Sequence, residues 1–132
     1  MTMHPQPLLS VADVDVAAAF YAELLGGNDD HGGRHGGPVR EYARIEIGDR
    51  LVLQLHAIQA AHHHGALAQE GVVLGNGVAV WFAADDFDAA VDRVRALAGA
   101  EIVHDVHVNP NARQREIWLR DPDGYLVVLA EA

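Results

Sequence analysis

The sequence predicts an α+β fold made of two βαβββ modules within a single domain of 132 residues. Three observations carry that prediction. Segments of strand period and helix period follow one another as strand, helix, then strands, and this order occurs twice. SVADVDVAAAF superposes on FAADDFDAAVDRV with Asp13 on Asp86, an offset of 73 residues. LVLQLHA superposes on YLVVLAE with Gln54 on Val128, an offset of 74. Neither half is long enough to cover its own sheet, so the two halves are expected to pair, within one chain or across a dimer, around a cleft.

Each element has a local reason. Leu8 to Ala12 reads as a short buried strand. Asp13 or Asp15 caps the helix that follows, in which Val16, Phe20 and Leu24 recur at helical spacing and Gly26-Gly27 marks the end. Asn28 to Pro38 is a glycine-rich stretch, read as a surface loop or a lid. Arg40 to Ile47 and Leu51 to His56 alternate apolar and polar residues around Gly48-Asp49, the pattern of a β-hairpin. The first module thus spans residues 1–60, a linker 61–77 and the second module 78–132. In the second module Val78 to Ala84 is a strand, Asp85-Asp86 opens the helix FDAAVDRVRALAG, and Glu101 to Val108 is a strand. Glu116 to Arg120 and Tyr125 to Ala130 form a hairpin around Asp121-Pro122-Asp123-Gly124, whose residues suit a type I turn with a bulge at the glycine.

The bulk numbers exclude several classes. Half of the chain is hydrophobic, enough for a core. There is no cysteine, which rules out disulfides, thiolate metal sites and a cysteine nucleophile. The net charge of −10 and the absence of a basic stripe argue against nucleic acid and anionic membranes as partners. The N-terminal MTMHPQPLLS has no basic region followed by an apolar run, so no signal peptide is expected. No apolar run approaches the ~20 residues of a membrane span, and a cytoplasmic location is expected.

The segments Val11 to Tyr21, Asp85 to Ile102 and REIWLRDPDGYLVVL (Arg115 to Leu129), in this order and with the internal repeat, cover nearly the whole chain. On these segments the chain resembles the glyoxalase/bleomycin-resistance/extradiol-dioxygenase group, the vicinal oxygen chelate superfamily. The resemblance implies open, cleft-bearing sheets, a homodimer and a small-molecule ligand. In metal-dependent members, four side chains on four strands hold one divalent ion in the pattern His or Gln, Glu, His, Glu. The matching positions here are Gln6, Gln54, Ala79 and Val128. Alanine and valine offer a metal no lone pair, and two neutral amides bring no charge against a dication. The expectation is a degenerate metal site and no cofactor. Glyoxalases also place an arginine where this chain has Ser10, so glutathione chemistry loses support.

By strand period, the face lining the cleft carries Leu8, Ser10, Val52, Gln54, His56, Ala79, Trp81, Leu126 and Val128, with Glu116, Trp118 and Arg120 on the other strand of the second hairpin. Ser10, Gln54, His56, Trp81, Glu116, Trp118 and Val128 are the candidate ligand contacts. Such an apolar and aromatic face with few polar groups suits a small molecule, and either tryptophan can stack on a planar ligand or simply pack in the core. His56 reads equally as a general base or hydrogen-bond donor and as a half-exposed histidine at a strand end. Glu116 is a candidate acid or base, or the partner of Arg115, Arg113 or Arg40 at the rim. Asn109 and Asn111 read first as turn formers around Pro110. His104 and His107, three apart on a strand, are expected on opposite faces. His31 and His35 fall in the glycine-rich loop, and His62, His63 and His64 in the linker, as loop contacts or a lid.

The sequence therefore points to a drug-binding type of protein that sequesters a hydrophobic or aromatic molecule. The rival is a divalent-metal-dependent lyase, isomerase or dioxygenase using a displaced site of Gln6, Gln54 and His56. A metal-free enzyme with His56 or Glu116 as base, and a partner-binding domain with an acidic surface, are the further options.

Overall fold

The computed structural model describes residues 2–33, 39–58, 67–69 and 71–132. The chain divides into two compact units, Met1–Val72 and Val73–Ala132. Each is a βαβββ module with one four-stranded mixed sheet and one helix.

In the first unit, β1 (Leu8–Val11) leads into α1 (Val14–Leu25), and β2 (Asn28–Asp29), β3 (Tyr42–Ile47) and β4 (Arg50–Ala57) follow. The sheet order is β1-β4-β3-β2, with β1 parallel to β4 and the other pairs antiparallel. Asp13 is the N-cap of α1 and its carboxylate accepts the Val16 N–H at 3.0 Å. At the other end Gly26 adopts the left-handed conformation that closes the helix, as its position predicts. The buried stripe of α1 is Val14, Ala17, Ala18, Phe20, Tyr21 and Leu24. Val16, expected in that stripe, is half-exposed instead. Periodicity alone does not fix which side of a three-turn helix meets the sheet. The stripe covers the sheet face bearing Leu9, Val11, Ala43, Ile45, Leu53 and Leu55, all buried. Each large side chain taken fully from water there contributes roughly 1.5–3 kcal/mol.

Two features of this unit lie outside the predicted pattern. The expected loop after α1 begins with the short strand β2, pinned by Arg40. The Arg40 guanidinium is buried, 3 % exposed, and bonds both Asp29 oxygens, Asp30 and the Gly32 carbonyl. Arg40 beside Asp29 holds that carboxyl below the usual carboxylate range, and the pair in turn raises the guanidinium. Second, β4 bulges at Val52: Ile45 faces Leu53 while Glu46 faces Leu51. Val52 therefore drops out of the simple alternation that placed it beside Gln54.

The second unit repeats the plan with β5 (Ala79–Ala84), α2 (Phe87–Ala96), β6 (Glu101–Val108), β7 (Arg115–Arg120) and β8 (Leu126–Glu131). Its order is β5-β8-β7-β6, with β5 parallel to β8. Asp86 caps α2 through the Ala89 N–H at 3.0 Å, the same bond as Asp13 makes in the first unit. Phe87, Ala90, Val91 and Val94 form the buried face of α2. Arg115 lies over the Phe87 ring at 4.8 Å and pairs with Glu131 at 2.8 Å and Asp88 at 3.0 Å, tying the start of α2 to the sheet. The β7–β8 hairpin turns as predicted. The Asp121 carbonyl accepts the Gly124 N–H, the Asp121 carboxylate accepts the Asp123 and Tyr125 N–H groups, and Gly124 has φ 93°.

The repeat read from the sequence reappears in strand register. Leu8 pairs with Gln54 in the first sheet, and Trp81 pairs with Val128 in the second, at the same offsets of 73 and 74.

Candidate functional site

Each sheet has one face covered by its own helix and an opposite face on which the candidate residues stand. In the first unit that opposite face holds the cross-strand rows Leu8–Gln54–Arg44 and Ser10–His56–Tyr42. The Gln54 amide is engaged at both ends. Its Oε1 accepts the Tyr42 hydroxyl at 2.6 Å, and its Nε2 donates to the Gln6 carbonyl at 2.9 Å. Gln6 thus reaches Gln54 through its backbone, while its own side chain is exposed. His56 is buried rather than half-exposed at the strand end, with Nδ1 2.8 Å from the Ala57 carbonyl oxygen. Ser10, its neighbour on β1, is buried as well. His62, His63, His64 and His35 lie outside the described residues.

In the second unit the opposite face is built from three rows. The middle one runs Trp81–Val128–Trp118–His104 across all four strands. On one side lies Ala83–Ala130–Glu116–His107, and on the other Ala79–Leu126–Arg120–Glu101. Trp81, Glu116, Trp118 and Val128 share this face, as predicted. Trp81 is 51 % exposed.

Glu116 departs from its expected rim pairing with an arginine. It is fully buried, and each carboxylate oxygen accepts one N–H: Oε1 from Trp118 Nε1 at 2.9 Å and Oε2 from Asn109 Nδ2 at 2.8 Å. His107 Nε2 lies 3.7 Å from Oε1. Two of the three arginines expected to pair with Glu116 bond other carboxylates. Arg115 is on the helix-covered side with Asp88 and Glu131, Arg40 is in the first unit, and Arg113 sits in the β6–β7 loop with φ 60°. Asn109 does more than turn the chain. Its side-chain oxygen accepts the Asn111 and Ala112 N–H groups while its amide nitrogen serves Glu116.

His104 and His107 also depart from expectation: they occupy one face. Their rings stack at 3.5 Å between centroids and 6° between planes. The cause is a pair of bulges in β6. Ile102 faces Leu119 and His104 faces Trp118, so one extra residue lies on β6; His104 to His107 spans Trp118 to Glu116, which inserts another. Both imidazoles stand edge-on to Trp118, at 5.7 Å and 79° and at 5.6 Å and 73°. Strand period put His104 and His107 on opposite faces because an edge-strand bulge carries no composition signal comparable to a hairpin glycine.

Chemically, this face offers two indoles with the buried Val128 between them, alanines in the neighbouring rows, and a buried carboxylate whose oxygens are turned toward the protein's own donors. Among the described residues no three His, Asp or Glu side chains converge on a point where a metal ion would sit.

The family model for the Glyoxalase/Bleomycin resistance protein/Dioxygenase superfamily matches residues 4–129, and the chain belongs to that superfamily. Solved structures share the fold at low identity. TioX from Micromonospora sp. ML1 superposes with a TM-score of 0.76 at 18 % identity, covering 98 % of each chain. A protein of unknown function from Agrobacterium tumefaciens str. C58 gives 0.71 at 22 %, covering 100 % of this chain and 96 % of that one. A bleomycin resistance determinant encoded on transposon Tn5 gives 0.67 at 22 %, covering 98 % of each. No curated protein sequence matches the chain. No helix among the described residues is long and apolar enough to cross a membrane.

Proposed function

We propose that this protein binds a hydrophobic or aromatic small molecule and leaves it chemically unchanged. The observation that carries this reading is the Trp81–Val128–Trp118 row, an aromatic and apolar strip with one exposed indole on a sheet face that the unit's own helix leaves uncovered. The donor set at the positions of the family's metal ligands supports it. Ala79 and Val128 supply no donor atom, and the Gln54 carbonyl oxygen already accepts the Tyr42 hydroxyl. These residues do not fit a divalent ion of the family's kind. The protein acts as a cytoplasmic homodimer in this reading, on the strength of the family alone.

Two measurements test it. Elemental mass spectrometry of untagged, chelator-free protein is expected to find far less than one metal ion per chain. Near-stoichiometric metal would instead favour a lyase, isomerase or dioxygenase built around Gln6, Gln54 and His56. A screen of aromatic compounds by tryptophan fluorescence is expected to give saturable changes that Trp118→Ala and Trp81→Ala weaken. Turnover of a bound compound would overturn the sequestration reading.

A further inference from the structure

We infer that Asn76–Gly77 is a self-modification site, at which the folded protein loses the Asn76 side-chain amide through a succinimide and gains aspartate and isoaspartate in the turn before β5. The reaction needs no ligand and no partner, only water.

The chemistry lies within one dipeptide. The Gly77 main-chain nitrogen attacks Asn76 Cγ and gives its proton to solvent, while Nδ2 takes up a proton and leaves as ammonia. A five-membered succinimide closes between the two residues. Water then reopens it at either carbonyl. Breaking the bond from Cγ to the Gly77 nitrogen restores the ordinary main chain, with aspartate at position 76. Breaking the bond from the Asn76 main-chain carbonyl carbon routes the chain through Cγ as isoaspartate, a methylene longer. In sum, an amide and a water become a carboxylate and an ammonium ion. The ring closes fastest where the attacking N–H has no hydrogen-bond acceptor and no side chain beside it, because the two groups are already held close together.

The four asparagines of the chain meet these requirements unequally. Asn28 lies in β2 opposite Glu46, and Asp29 after it is locked on Arg40. Asn109 precedes Pro110, which has no N–H, and its own amide nitrogen is donated to Glu116. Asn111 precedes Ala112, whose N–H donates to Asn109 Oδ1 at 3.3 Å. Asn76 alone precedes a glycine. It lies in the turn 74–77, where both Asn76 and Gly77 are exposed, and the Gly77 N–H meets no acceptor among the described residues.

The turn is tight at its start and open at its end. A Cβ on Gly75 would lie 3.1 Å from Tyr125 Cα and 3.2 Å from the Gly124 carbonyl oxygen, whereas on Gly77 it would meet nothing within 4 Å. Asp123–Gly124, the one Asp-Gly step of the chain, is the internal contrast. It could close the same ring with loss of water, but its Gly124 N–H donates to the Asp121 carbonyl at 3.0 Å. The fold thus protects that step and leaves Asn76–Gly77 unprotected. Either product places a new carboxylate at the root of β5. Isoaspartate also lengthens the main chain inside the turn that the Val78 N–H closes on the Gly75 carbonyl at 3.3 Å.

The test ages the protein in mildly alkaline buffer, native and in urea, with Asn76→Gln and Gly77→Ala in parallel, each first checked for a native circular-dichroism spectrum. Tryptic peptide 51–93 carries Asn76 as its sole asparagine. Its mass gain on exchange of amide for carboxylate, and its labelling by protein isoaspartyl methyltransferase, follow the reaction. Native protein is expected to lose the Asn76 amide within about threefold of the rate in urea, because the fold adds less than about 1 kcal/mol to the barrier. Asn76→Gln, whose ring would have six members, and Gly77→Ala, whose nitrogen is hindered, are each expected to slow the modification of this peptide by at least about tenfold. Isoaspartate at position 123 is expected in urea and not in the native protein. A native rate further below the unfolded one than this would overturn the inference, and so would native loss that begins at another asparagine. Native isoaspartate at position 123 would overturn the protecting role of the Gly124 hydrogen bond, and with it the reason for singling out Gly77.

Discussion

His104 and His107 stack face to face at 3.5 Å although they are three residues apart on a strand, because β6 carries an extra residue between them. The stack presents both rings to Trp118. We expect His104→Ala to change global stability by less than about 1 kcal/mol, since that ring is exposed and its contacts are aromatic edges. In a Trp81→Phe background, where Trp118 is the sole indole, the same substitution is expected to reduce near-UV ellipticity. An unchanged spectrum would mean that the stack does not restrain Trp118.

Removing the Glu116 side chain leaves the Trp118 and Asn109 donors without their buried acceptor. Glu116→Ala is expected to cost about 2–3 kcal/mol in urea unfolding, combining unsatisfied groups with a cavity. Glu116→Gln keeps one acceptor oxygen but turns an amide donor toward the second, and is expected to cost less. Equal costs for the two would show that packing, rather than the hydrogen bonds, accounts for the effect.

Arg40 and Asp29 form a two-pronged, buried ion pair in the first unit. Arg40→Met leaves Asp29, with little exposure, only the solvent-exposed His31 imidazole at 3.6 Å in place of the guanidinium, and about 3 kcal/mol of stability should be lost. The pH dependence has a definite sign. The folded pKa of Asp29 lies below the ordinary aspartate value of 3.8, so its contribution is fully present above that value and is lost as pH falls through the depressed folded pKa. The stability gap between wild type and Asp29→Asn should therefore shrink on acidification from neutral pH toward pH ~3. A gap independent of pH would show that the pair contributes nothing through charge.

Two glycines with positive φ separate steric from conformational cost. A Cβ at Gly33, φ 88°, would sit 1.8 Å from the Tyr42 carbonyl oxygen, whereas at Gly124, φ 93°, it would meet nothing nearer than 4.0 Å. Gly124→Ala is expected to cost about 1–2 kcal/mol from the backbone conformation alone, and Gly33→Ala distinctly more. Thermal unfolding of the two variants decides it, and a larger loss for Gly124→Ala would contradict the packing at Gly33.

Much of the architecture was legible because its signals are local. Asp13 and Asp86 each precede a helical apolar pattern by one residue and cap it, and the Asp121–Gly124 turn carries residues that only a few turn geometries accept. The shared face of Trp81, Trp118 and Val128 followed from strand period across a hairpin whose turn had been read correctly. Where the reading went wrong, a bulge or a long-range contact had intervened. Val52 lost its place to a bulge in β4, Val16 turned to solvent, and Arg40 was drawn to β2, not to Glu116.

By itself the sequence determined two βαβββ modules, their internal correspondence and the chemical character of the residues at the family's ligand positions. Hydrophobic period, caps and turn residues act over a few positions, and the repeat lets each half corroborate the other. Only the tertiary structure decided that Glu116 turns inward to Trp118 and Asn109, that Gln54 is spent on Tyr42 and Gln6, and that two histidines of opposite parity share a face. Those outcomes depend on which buried donor finds which acceptor and on single inserted residues that reverse a period-2 pattern. Both are settled by packing between strands distant in sequence.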